Sequence, residues 1–150
     1  MVRTQGSAML LAVAIGAFVG ASLVVLDYAE GLSYLSDDPR TCVNCHIMRE
    51  QFDTWQRSAH AAVATCNDCH TPHDAIGKYV AKARNGWNHS VAFTLGTFEE
   101  PIRIKPSNAA IVERNCVECH ADVVSEILGH PGSTIGCTRC HREVGHALSG

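Results

Sequence analysis

The sequence predicts a mainly α chain: a single N-terminal transmembrane helix, residues 1–30, followed by a small domain, residues 31–150, with little regular structure besides short helices. Three observations predict it. An uncharged apolar run fills residues 4–26, a Cys-x-x-Cys-His motif occurs four times beyond it, and apolar residues recur at helical spacing across residues 76–87.

The apolar run comes first. No charged side chain stands between Arg3 and Asp27. As a helix rising about 1.5 Å per residue it would be roughly 34 Å long, enough for a hydrocarbon core of about 30 Å. A cleaved signal peptide has a shorter apolar region, about 7 to 15 residues, so the run reads as an uncleaved signal anchor. Arg3 precedes it, whereas Asp27, Glu30, Asp37 and Asp38 follow. The positive-inside rule then puts the N-terminus in the cytoplasm and the domain on the opposite side. A formal net charge of -3 excludes a strongly basic, nucleic-acid-binding chain.

Eight Cys and nine His in 150 residues exceed what an ordinary cytosolic domain uses. The four motifs are Cys42, Cys45, His46; Cys66, Cys69, His70; Cys116, Cys119, His120; and Cys137, Cys140, His141, and they consume every Cys. This is the attachment pattern of c-type haem: two thiols reach the two vinyl groups on one porphyrin edge while the adjacent imidazole turns under the ring to bind iron. Zinc sites and dithiols also use paired Cys, but neither requires His after each pair, and chance would supply all four with odds of about one in a hundred thousand. A disulfide framework would leave the same His unexplained. Four haem c groups are therefore expected. They would give a domain of this size the interior it otherwise lacks, so the domain is haem-packed and its apoprotein largely unfolded.

Five His lie outside the motifs: His60, His73, His89, His130 and His146. His146 is five residues from His141, at most about 17 Å of extended chain, so it reaches a neighbouring haem more readily than its own. Met48, two residues after His46, cannot clasp the opposite face of the same iron. By spacing alone it reads as flexible packing against the ring. His73, after Pro72, reads as a structural residue near the second haem, and His130, before Pro131 and Gly132, as an exposed turn.

Across residues 76–87, Ile76, Val80, Ala83 and Trp87 share helical spacing, with Lys78, Lys82 and Arg84 on other faces. Such a basic amphipathic helix suits a headgroup layer, where Trp is a common anchor; a helix packed on the haem domain fits the pattern equally well.

The segments GLSYLSDDPRTCVNCHIM, TWQRSAHAAVATCNDCH and KARNGWNHSVAFTLGT, with the last two motifs ending at GHALSG, resemble the NapC/NirT/NrfH family of membrane tetrahaem quinol dehydrogenases, which includes the small subunit of cytochrome c nitrite reductase. The resemblance implies that Met48 takes the axial place of His46 at the first haem. It implies that His60 and His146 are distal ligands of the fourth and third haems, opposite His141 and His120. The second haem, on His70, has no evident partner, and the resemblance implies a lysine supplied by a catalytic pentahaem nitrite reductase subunit. Lys82 matches a basic residue of the quinol site. Asn85 stands where related chains carry Asp, and another alignment places His89 there; His89 is read as the proton acceptor or as a distal group over the first haem.

The implied activity is oxidation of menaquinol, with electrons passing to a periplasmic catalytic subunit, the ammonia-forming nitrite reductase first among candidates. The chain would be an electron-transfer subunit that does not itself reduce nitrite. Alternatives are service to a different periplasmic reductase, for nitrate or an N-oxide, and a passive electron carrier. The implied setting is the cell inner membrane, single-pass, with the haem domain periplasmic, an obligate partner and self-association.

Overall fold

The structure, a computed structural model, describes residues 2–128 and 136–146. It is mainly α as expected, with six α-helices joined by short 3-10 turns and no strand among the described residues.

Helix α1, Val2–Tyr28, is the apolar run; its stretch Gln5–Tyr28 is long and apolar enough to cross a membrane, and none of it is buried in the protein. The helix ends at Glu30, held in the left-handed region at φ 49°, and the chain then turns back in a 3-10 segment, Gly31–Leu35. A Cβ at Gly31 would displace the end of the Leu26 side chain and press on the Leu26 carbonyl at 3.2 Å, so glycine packs here without adjustment. The turn lies in the same compact unit as the anchor, residues 1–36.

The second unit, residues 37–150, holds α2 (Arg49–Trp55), α3 (Cys66–His70), α4 (Ala75–Leu95), α5 (Pro106–Cys119) and α6 (Ala121–Leu128). Local chemistry sets their ends. Thr65 and Asp68 form a capping box at α3, with Thr65 N donating to Asp68 Oδ2 at 2.7 Å. Asp74 caps α4 by accepting from Gly77 N at 2.7 Å, and Gly96, at φ 63°, closes it. Pro106 opens α5 where a missing N–H costs nothing. Helix α4 is longer than the periodic stretch 76–87 that announces it, because residues 88–95 contain no helix breaker.

Helix α3 packs against α5. The buried residues among those described are Thr71, Pro72, Ala81, Lys82 and Asn115. Three of the five are polar, one of these being charged, so the described residues form almost no apolar core of their own. A domain of this size normally needs one, and its lack is what cofactor-filled folds display.

Candidate functional site

Each Cys-x-x-Cys-His motif sits on a short helical turn or at a helix end. Cys42 lies in the 3-10 segment Pro39–Asn44, and His46 opens the turn His46–Met48. The second motif is all of α3. The third ends α5, and Cys137 opens the turn Cys137–Arg139. All eight Cys are thiols unpaired with one another in disulfides.

The motifs are linked in series. Cys42 and Cys66 share a hydrogen bond, which holds the Cys42 thiol down to about 7 and pushes its partner up. Cys69 lies near Cys119, and Cys116 meets Cys137. Two polar side chains of α5 brace these junctions. Buried Asn115 donates from Nδ2 to the carbonyls of Asp68, Cys69 and Thr71 at 2.9, 3.1 and 2.8 Å, fastening the second motif to the third. Glu113 accepts from Cys137 N at 2.6 Å, from Thr138 N at 3.0 Å and from the Thr138 hydroxyl, fastening the fourth motif to the same helix.

Two pairs of imidazoles face one another. The ring centres of His70 and His146 are 6.2 Å apart with planes 9° from parallel; those of His60 and His120 are 6.1 Å apart at 65°. Two imidazoles bound through nitrogen at about 2 Å on opposite sides of one metal have ring centres about 6 Å apart. Both pairs therefore fit one iron each. Burial, with the charge of nearby His146, pushes the His70 pKa down to about 4, which keeps the ring neutral as a ligand must be. His60 engages Val144 O through Nδ1 at 3.2 Å, leaving Nε2 for a metal.

The resemblance implies other partners for these rings: here His60 lies beside His120 of the third motif rather than His141 of the fourth, and His146 beside His70 of the second rather than His120 of the third. The cause is long-range: Val144, held by His60, fixes the tail so that His146 two residues later reaches α3. His146 stands beside a neighbouring motif and not its own. Among the described residues no second imidazole stacks on His141, which lines an open groove of about 480 Å³ with Arg139, Arg142 and Glu143. His73 spends both ring nitrogens on protein oxygens, Asp68 O at 2.9 Å and Glu118 Oε2 at 2.8 Å, as a structural residue does. His130 lies outside the described residues. At the first motif His46 is exposed and lines a groove of about 500 Å³ with Ile47, Arg49, Glu50, Asp53, Thr54 and Arg57, whereas Met48 is half-buried.

Residues 3–115 match the NapC/NirT cytochrome c family, N-terminal region. The chain belongs to the NapC/NirT cytochrome c family. Among curated relatives it is 41% identical to the cytochrome c-type protein NrfH of Wolinella succinogenes, over 93% of this chain and 84% of that one. It is 34% identical to the cytochrome c nitrite reductase subunit NrfH of Nitratidesulfovibrio vulgaris, over 95% and 87%. A more distant match, at 26% identity, is the cytochrome c-type protein TorC of Escherichia coli, of which 42% is covered. The crystal structure of the cytochrome c nitrite reductase NrfHA complex bound to the HQNO inhibitor superposes with TM-score 0.64 at 31% identity, covering 87% of each chain. As a NapC/NirT cytochrome, the chain carries haem c, and the paired imidazoles and the near-absent apolar core fit that group.

In this NapC/NirT chain Lys82, Asn85 and His89 share one face of α4, being three and seven residues apart. Lys82 is 3% exposed and donates to Asp37 Oδ1 at 3.3 Å; its ammonium is close enough to Cys42 to lower that thiol's pKa further. Asn85 Oδ1 accepts from Asn108 at 3.0 Å. His89 keeps an exposed edge, yet partial burial and then the Lys105 charge lower its pKa. On the other side of the helix Ile76, Val80 and Trp87 are 80, 62 and 72% exposed. The helix is therefore inverted, with its apolar stripe outward and Lys82 inward. Asp37, Glu113 and Asn115 went unmarked in sequence; only Asp37 left a trace, as a charge flanking the anchor.

Proposed function

We propose that this chain is the membrane-anchored tetrahaem subunit that oxidises menaquinol and passes electrons to a periplasmic catalytic subunit, the ammonia-forming cytochrome c nitrite reductase. The observation that carries the proposal is the serial contact of four attachment motifs, two of them with imidazole pairs at the spacing of axial ligands. The NrfH relatives and the NrfHA complex support the choice of partner, and the HQNO inhibitor in that complex supports a quinol substrate. When bound, the haems supply one-electron acceptance and conduction, which two-electron quinol chemistry needs.

The chain's own residues do the rest. His70 with His146 and His120 with His60 would hold one iron each, Met48 would hold the first iron in place of His46, and His141 would hold the fourth together with a group from the partner. On that pairing the lysine that the resemblance implies at the second haem would serve the fourth. Lys82 donates to a quinol oxygen from a water-poor position beside Cys42, where its charge is worth most. Asn85 orients the ring, and His89, neutral near pH 7, accepts a proton. The outward stripe Ile76, Val80 and Trp87 lies in the lipid headgroup layer from which quinol arrives. The N-terminus is cytoplasmic and the haem domain periplasmic, and the chain self-associates within the complex.

The test is reduction in liposomes. A menaquinol analogue should reduce the haems of the purified complex, and K82M should slow this by about a hundredfold or more while leaving reduction by dithionite intact. Unchanged quinol kinetics would overturn the proposal. The TorC match supports a second reading, service to a different periplasmic reductase, which co-purification of the native partner separates.

A further inference from the structure

We propose that Asp37 is a positioning residue of the quinol site, holding the buried Lys82 ammonium beside the first attachment motif. The inference rests on the quinol reading of Lys82.

Asp37 is tied from three directions. Its Oδ2 accepts from Lys78 Nζ at 2.6 Å, and its Oδ1 accepts from Asn67 Nδ2 at 2.8 Å and from Lys82 Nζ at 3.3 Å. Asn67 stands between Cys66 and Cys69, so the carboxylate is fastened to the second motif while the cation it faces lies near Cys42 of the first. The neighbouring Asp38 cannot replace it, because Arg40 engages both its oxygens, with the closest contact at 2.6 Å.

The two ends of the pair differ. The side chain of Asp37 is 57% exposed and that of Lys82 only 3%. An exposed ion pair contributes little, and for stability alone an apolar residue would serve as well at a site like that of Lys82. A buried ammonium is useful where negative charge develops, and quinol oxygens become negative as they lose protons. It must then be held in one place, which a four-carbon stem does not do unaided. The Lys78 bond fixes the rotamer of Asp37, and Asp37 in turn fixes Nζ of Lys82.

The test uses the full chain in its native membrane complex, comparing D37N, K82M and D37N/K82M. D37N should lower kcat with a menaquinol analogue about tenfold or more, with native dithionite-reducible haem and a native spectrum. The double variant should be no slower than K82M, because Asp37 acts through Lys82. D37E should fall between D37N and the native chain. Native kcat in D37N alongside a slow K82M overturns this inference and leaves the quinol site standing, as do independent, multiplicative effects. A K82M chain with native quinol kinetics removes the quinol reading and this inference together. If D37N does not assemble, D37E decides: reduced kcat with intact dithionite reduction supports positioning, and native kcat contradicts it.

Discussion

The imidazoles of His70 and His146 lie parallel, 6.2 Å between ring centres, although 76 residues of sequence separate them. One belongs to the short helix α3 and the other to the tail. The distance is that of two rings sharing one metal.

Replacing His146 by Ala should leave the second haem with one imidazole and convert it to a high-spin or ligand-exchanging form in electron paramagnetic resonance. In a background where Cys66 and Cys69 are Ser, so that the second haem is absent, H146A should add no further change. A persisting effect there would reassign His146 to another haem. H60A should act in the same way on the third haem.

Asn115 offers a stability test. Its Nδ2 serves three carbonyls at the end of α3; Ala would remove that donor, and of the three Asp68 O keeps a second partner, His73 Nε2. The expected cost is about 1–3 kcal/mol of haem-domain stability, seen as a lowered thermal midpoint in detergent. A midpoint within error of the native value would show that the α3–α5 junction does not depend on it.

Glu113 gives a pH dependence. Burial alone would raise its pKa, but the hydrogen bonds from Thr138 and Cys137 together outweigh burial and hold it below the ordinary glutamate range. A lowered native pKa means that the stabilisation is present above the unfolded value and is lost as pH falls through the native one. Amide-exchange protection at Cys137 and Thr138 should therefore fall between about pH 5 and pH 3. In E113Q it should be weak already at neutral pH. Protection independent of pH over that range would contradict the sign.

His89 is the proposed proton acceptor. H89F should slow quinol oxidation by about a hundredfold or more, the usual scale of general base catalysis, without altering reduction by dithionite. A native quinol rate would move the role elsewhere on α4.

The anchor and the attachment motifs were legible in sequence because each is a local pattern: charge-free length in one case, a five-residue repeat in the other. The pairing of the imidazoles was not, since it depends on contacts 84 residues apart, as between His60 and Val144. The ladder Ile76, Val80, Trp87 correctly announced a helix, but periodicity alone does not say which face turns inward. Here the absence of an apolar core lets the apolar stripe stay outside while Lys82 points in. Asn115 left no mark, because one Asn in a helix looks the same whether it meets water or three carbonyls.

The central claim is that four thioether-bound haems furnish the interior and the conducting path of this small chain. Intact-mass measurement of the mature polypeptide tests it most directly. The account predicts a mass above that of the chain by four haem groups; a mass equal to the bare polypeptide would contradict it.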